Sequence, residues 1–372
     1  MSEEVTENGE EHRFPCPECG SEMRFDPAAN KLKCDHCSHE EDFDGEGETA
    51  LANTELDFQA AMNNQVPEEE MEETRVTSCS NCGAKVEFEG ESHAEECPFC
   101  ASPIVIDTGT TKQIKPKGVL PFIKTEDKAR EAMTEWLGKL WFAPNNLKEY
   151  ARKGRKMQGM YVPYWTYDAQ SESDYRGQRG DAYYVTERYT TTEDGKTVTK
   201  TRQVRKIRWS RRSGHISKFF DDILVLASKS LPKRFTDQLA PWDLSALVDY
   251  SPNYLAGYQA EAYSIELREG FDEAENVMER EIRNLVRRDI GGDEQRIDRL
   301  STTLSAITYK HVLLPVWLAA YKYEGKTYRF VVNGQSGKVK GERPWSKAKI
   351  AIAVVSALVV IAIGVTVYQY TK

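Results

Sequence analysis

Cys16-Pro-Glu-Cys19-Gly-Ser-Glu-Met-Arg-Phe-Asp-Pro-Ala-Ala-Asn-Lys-Leu-Lys-Cys34-Asp-His-Cys37 joins two CxxC knuckles across 14 residues, and the arrangement returns 63 residues later as Cys79-Ser-Asn-Cys82 and Cys97-Pro-Phe-Cys100. A CxxC turn presents two thiolates from one tight knuckle. Two knuckles joined by a short hairpin supply the four soft ligands of a tetrahedral Zn²⁺. Glycine follows Cys19 and Cys82, where the backbone turns its amides toward sulfur. Each unit therefore reads as a small β zinc ribbon, Cys16, Cys19, Cys34 and Cys37 on one Zn²⁺ and Cys79, Cys82, Cys97 and Cys100 on a second. Iron, as in rubredoxin-like sites, is the alternative metal. All eight cysteines are used. His36 and His93 stand close by but are superfluous to shells that four cysteines already close, and closed shells hold folds together without activating water.

Charge divides the chain. Of 372 residues with net charge −9, residues 1–110 carry 28 Asp and Glu against 6 Lys and Arg, so the remainder is basic. Residues 1–11 are acidic and polar, with no apolar run behind a basic segment, so no secretory signal is read. The thiols are then expected in a reducing cytoplasm, where CxxC pairs favour metal over disulfide. Between the cysteine units, residues 40–74 hold 13 acids and no Lys or Arg, interrupted by the apolar patch Leu56-Asp-Phe-Gln-Ala-Ala-Met62. That composition predicts a solvated linker with one helical docking turn.

From about Lys112 the texture becomes Trp- and Tyr-rich. Thr125 can cap a helix whose Ala129, Met133, Trp136, Leu137 and Leu140 recur at helical spacing, ending before Pro144. Strands are expected over 160–169, 183–191, 196–209, 304–323 and 327–333, with a hairpin at Asp194-Gly195. A second helix is expected over 271–290, stopped by Gly291-Gly292. Tyr161-Val-Pro163-Tyr-Trp165, Leu313-Leu-Pro315-Val-Trp317 and the shorter Val119-Leu-Pro121-Phe122 share a pattern. They read either as a duplicated β unit or as three similar strand starts, proline suiting a first position. Trp165 and Trp317 read as core anchors.

Ile350 to Val367 is 18 residues without a charge, enough at 1.5 Å per residue to span roughly 27 Å of bilayer. Trp345, Tyr368 and Tyr370 bracket it as aromatic belts. Basic residues, Lys347 and Lys349 among them, crowd its N-terminal flank, which puts the bulk of the chain in the cytoplasm. The densest basic tract, residues 195–220, has nine Lys or Arg and no acid. Arg205, Lys206, Arg208, Arg211 and Arg212, with Lys347 and Lys349, are the candidate membrane-surface residues, a solvated hairpin face or docking of the chain's own acidic linker being the alternatives.

The organisation expected is a multi-domain α+β chain: residues 1–40 a first ribbon, 41–74 an acidic linker, 75–110 a second ribbon, 111–346 a β-rich mixed α/β cytoplasmic domain of one or two subunits, and 347–372 a single transmembrane helix. Tests for enzymes fail. Gly195-Lys196-Thr197 and Gly325-Lys326-Thr327 lack the earlier glycine of a phosphate loop, HExxH, GxGxxG and GxSxG are absent, and His12, His215 and His311 have no recognisable partners.

The paired ribbons and the closing stretch Leu313-Leu-Pro-Val-Trp-Leu … Tyr321-Lys-Tyr-Glu-Gly-Lys-Thr-Tyr-Arg-Phe-Val-Val-Asn333-Gly-Gln-Ser-Gly-Lys-Val-Lys-Gly-Glu-Arg-Pro344 before a membrane helix resemble bacterial membrane-anchored TFIIB-type zinc-ribbon proteins. That family is often labelled "primosomal protein N′ (replication factor Y) superfamily II helicase", a label the missing nucleotide loop speaks against. The resemblance implies no catalytic residues. It implies a membrane-tethered adaptor or scaffold whose ribbons reach out to recruit a protein partner to the cytoplasmic face in an envelope-stress response, phage-shock-type membrane-stress proteins among the candidates. The ribbons sit in acidic sequence that would repel phosphates, so nucleic acid is not the expected partner. A membrane-associated nucleic-acid-binding protein of replication or transcription is the alternative.

Overall fold

The computed structural model describes residues 14–43, 47–87, 94–100, 102–105, 110–144, 157–193, 196–323 and 326–370. His12, His93, the Asp194-Gly195 turn and Gly325 lie outside them. The chain is mixed α/β and sheet-rich, built on three long strands: β1 (Gln158–Glu193), β2 (Lys196–Leu226) and β3 (Glu294–Tyr323). β1 pairs antiparallel with β2 on one edge and β3 on the other. At about 3.3 Å per residue, the 36 residues of β1 have a contour near 120 Å.

Burial changes along β1. From Met160 to Ala169 every residue is buried, as a strand covered on both faces requires; from Ser171 to Gly177 the odd positions alone are buried, as expected of a sheet covered on one face. The first stretch lies in the body and the second in an arm. The covering layer of the arm is the helix Leu267–Ile290. It turns Leu267, Phe271, Ala274, Met278, Ile282, Val286 and Ile290 inward at spacings of three and four. It begins four residues before the expected Phe271 and ends at Gly291, φ 66°. A Cβ at Gly270 would sit 2.5 Å from the Tyr167 hydroxyl oxygen, so glycine lets helix and strand meet. β3 joins the arm at Glu294, opposite Gly180; beyond that point β1 and β2 continue as a two-stranded hairpin.

At the other end β3 pairs with β4 (Lys326–Asn333), which also pairs with Val339–Gly341. Gly118–Val119 lies parallel to Val312–Leu313 of β3. The three proline motifs therefore meet in one sheet, Pro163 opposite Leu313 and Tyr161 opposite Pro315. Pro163 and Pro315 are not strand starts, as sequence suggested. Each ring sits inside a long strand one residue past the end of a neighbour: β2 stops opposite Tyr164 and β4 opposite Val316. Their carbonyls still accept from the Ala227 and Gly334 amides, but neither ring has an N–H to return, and the ladder ends there. Trp165 and Trp317 are buried, as core anchors should be, donating to the Ile265 and Lys124 carbonyls at 2.9 and 2.7 Å.

The helix Glu126–Gly138 starts at Thr125, whose side chain caps it. The helical docking turn expected at residues 56–62 is present, but the segment around it, read as a solvated linker, is strapped to the sheet over residues 47–62. Leu56–Asp57 pairs with Thr308–Tyr309, Asp57 caps the five-residue helix Phe58–Met62, and Phe58 is fully buried against Tyr167 and Phe271. The acids do not prevent this because they face outward or pair: Glu55 reaches Lys310 at 2.6 Å. Lys347–Tyr370, hereafter the terminal helix, has no buried residue and is long and apolar enough to cross a membrane.

Candidate metal centres

The eight cysteines form two clusters, within each of which the sulfurs lie inside 4.8 Å of one another. In the first, Cys16 to Cys37 and Cys19 to Cys34 are 3.5 Å apart; in the second, Cys79 to Cys100 and Cys82 to Cys97 are 3.6 Å. Four sulfurs bonded at 2.3 Å to a tetrahedral ion must stand about 3.8 Å apart, so both shells fit a metal ion.

Three of the four knuckles are closed the same way among the described residues. The amide four residues past the first cysteine donates to that cysteine's carbonyl: Gly20 to Cys16, Ser38 to Cys34 and Gly83 to Cys79, at 2.8, 2.9 and 2.8 Å. The turning residue takes positive φ, 73° at Gly20, 61° at Ser38 and 76° at Gly83. Glycine was readable as part of the signal; Ser38, which accepts the same strain, was not. Each first cysteine's amide also donates five residues on, Cys16 to Ser21, Cys34 to His39, Cys79 to Ala84 and Cys97 to Ser102. Amides and thiols aimed at sulfur favour thiolate: the Ser21 backbone holds Cys19 down at about 6, and a hydrogen bond from the Cys97 thiol holds Cys82 down at about 5.

Both units lean on the body. In the first, Phe25 donates its amide to Ala256 and packs edge-on to Tyr254, while Cys19 and Cys37 stay exposed. The second is more deeply set. Cys79, Val86, Cys97 and Phe99 lie in one apolar cluster with Leu120, Val162 and Leu314, and Val86 bridges Glu261. Glu261 is itself buried, accepts from Ser228 at 2.7 Å, and is pushed up to about 8 by burial. His36 is exposed and belongs to neither shell.

The candidate surface residues do not form one patch. Arg205, Lys206, Arg208, Arg211 and Arg212 are exposed on the arm; Lys347 and Lys349 lie at the foot of the terminal helix, near the opposite end of β3. Arg205 pairs with Glu294 at 2.7 Å, Lys206 with Glu187 at 3.0 Å, and Arg208 lies over the Tyr183 ring. His215 and His311, for which no partners were recognised in the sequence, have them. His215 sits between Glu172 and Asp174, whose carboxylates raise it. His311 is buried with Nδ1 2.8 Å from the Ile114 carbonyl, and burial pulls it down to about 4, so its ring stays neutral. Sequence also gave no sign of a further acidic group, Glu55, Asp168 and Asp222, gathered around Lys310.

No family model and no solved structure matches the chain. It is similar, 28% identical over 341 residues, to the uncharacterized protein YdjG of Bacillus subtilis (strain 168), the match covering 91% of this chain and 92% of that protein.

Proposed function

We propose that the chain is a membrane-tethered adaptor: the terminal helix holds it in a bilayer with its body in the cytoplasm, two structural Zn²⁺ ions brace that body, and the arm presents a docking surface to a protein partner. The docked ribbons favour a bracing role over that of free reaching modules. Metal analysis of the purified full chain should return about two zinc per chain, since closed Cys₄ shells select Zn²⁺ in a reducing cell. A content near zero with disulfides formed, or iron in place of zinc, would refute it.

The observation that carries the adaptor reading is the open edge of the arm. From Glu294 to Ile307, β3 pairs only with β1 among the described residues. Between this edge and the long helix runs a groove of about 520 Å³ with Leu300, Leu304 and Ile307 on its floor and Asp272, Glu275 and Glu279 on its rim. The chain's own Leu56–Asp57 adds a strand to the next residues of the same edge, Thr308 and Tyr309. A partner segment that continues the line would be extended, apolar on alternate residues and basic between them. Crosslinking from membranes should capture a protein that Glu275→Lys with Asp272→Lys reduces several-fold; capture unaffected by that charge reversal removes the groove from the proposal.

A second reading, a membrane-associated nucleic-acid-binding protein, draws on the ladder of Arg202 over Tyr189, Arg208 over Tyr183 and Arg296 over Trp209. Against it, Glu187 and Glu294 already pair with Arg202, Lys206 and Arg205. Salt-dependent retention of single-stranded DNA by the full chain would favour it.

A further inference from the structure

Among the described residues, the exposed aromatic surface outside the terminal helix has one outlier. Trp141 is 78% exposed, in a loop that follows the helix Glu126–Gly138. A tryptophan so open on a soluble body is costly unless something apolar on one side and wet on the other covers it. The loop's neighbours say what that is. The Ser346 amide donates to the Phe142 carbonyl at 2.8 Å, the Lys349 ammonium donates to the Ala143 carbonyl at 2.8 Å, and the Phe142 and Trp345 rings stand 6.2 Å apart. Arg343 lies 4.2 Å over the Trp345 ring, which is itself 56% exposed.

These bonds fix the loop's level against the terminal helix. Lys349 is the last charge before the apolar run, so its Cα stands near the edge of the hydrocarbon. Ser346 lies about 4.5 Å above it at 1.5 Å per residue, and the interfacial layer of one leaflet is roughly 5–8 Å deep. A loop bonded to both residues is held within that layer. We propose that the loop 139–143 is a second membrane contact, with Trp141 seated beside Trp345 among the lipid headgroups and Lys139, Arg343 and Lys347 around them. The occupant is a bilayer surface, because the site is continuous with the spanning helix and offers an aromatic ring with a basic collar. Two contacts fix an orientation where a helix alone leaves the body free to swivel. The loop thereby sets which face of the body is turned to the cytoplasm.

The inference rests on the membrane-spanning reading, and its test separates the two. The full chain is reconstituted in phosphatidylcholine–phosphatidylglycerol vesicles containing phosphatidylcholine brominated near the top of its acyl chains, and tryptophan quenching is compared for the parent, Trp141→Phe and Trp345→Phe. Trp141→Phe should remove a share of quenching comparable to Trp345→Phe, and aqueous iodide should leave that share of the parent's emission untouched. If only Trp345→Phe lowers the quenching, the helix is inserted and the docking loop is wrong. If neither variant does and carbonate strips the chain from the vesicles, the spanning reading fails and takes this one with it. Both rings are exposed, so neither substitution threatens the fold.

Discussion

Cys97→Ser is expected to lower the melting temperature of the body far more than Cys37→Ser, although each removes one sulfur from a four-sulfur shell. On the proposed reading each cluster holds an ion whose binding is folding free energy, so losing either would relax its unit. What differs is the attachment. Cys97 is 1% exposed and shares a cluster with Phe99, Val86, Leu120 and Val162. Its knuckle cannot open without exposing part of the wall of the central sheet. Cys37 is exposed: Cys16, Phe25 and Cys34 of the first unit join a cluster with Val119 and Leu313, but the side of the shell formed by Cys19 and Cys37 lies in solvent. A loss of about 3–5 kcal/mol, the scale of emptying a core site, would shift the midpoint of a domain this large by roughly 6–20 °C. Cys37→Ser should shift it by a few degrees. Scanning fluorimetry of the full chain in detergent checks the difference, and each variant should retain one metal ion. Equal shifts would mean that the second ribbon is not part of the core.

Legibility from sequence followed the range of the signal. The two four-cysteine clusters were readable, because four sulfurs at short spacing are a local demand. So were the Thr125 cap, the helix stop at Gly291 and the apolar terminal helix. The arm was not. Sequence ended one strand at residue 169 and began another at 183 because Gln170, Glu172 and Asp174 interrupt the apolar pattern and Gly177 and Gly180 add no side chain to it. In the structure Ser171 and Ser173 are the inward residues, and Arg296 and Ile290 press on Gly177 too closely for a Cβ. Small polar residues fill the narrow space under the helix, so hydrophobic alternation fades where the strand persists. The strap was read only as far as its docking turn, for a related reason. Its acidity was read as solvation, but the cation that pairs with Glu55 lies 255 residues away at Lys310, and no local pattern carries such a pairing.

That cation carries the last prediction. Lys310→Met is expected to destabilise the body strongly at pH 7.5 and less at pH 5. Lys310 is 5% exposed, 2.6 Å from Glu55 and 2.9 Å from Asp222; the Asp222 amide, in a left-handed residue with φ 49°, donates to Asp168 at 2.7 Å. Burial pulls the ammonium down, but its bonds to Glu55 and Asp222 outweigh that and leave it raised, so it is charged throughout this range. Burial pushes Asp168 up to about 6, against the opposing Asp222 amide. Methionine matches the stem but leaves carboxylates facing one another largely out of water, and an uncompensated buried charge costs about 3–5 kcal/mol. The sign follows from linkage: a carboxylate whose folded value is raised holds its proton more tightly when folded, and that contribution, full at low pH, is lost as pH rises through the folded value. In Lys310→Met the Asp168 carboxyl, no longer beside a cation, rises further, so part of the deficit should vanish between pH 7.5 and 5. Denaturant titration of the full chain in detergent at the two pH values measures it, and Glu55→Gln added to Lys310→Met should restore part of the loss at pH 7.5. A deficit that is the same at both pH values would assign the loss to packing and leave the strap held by Phe58 and its strand pairing.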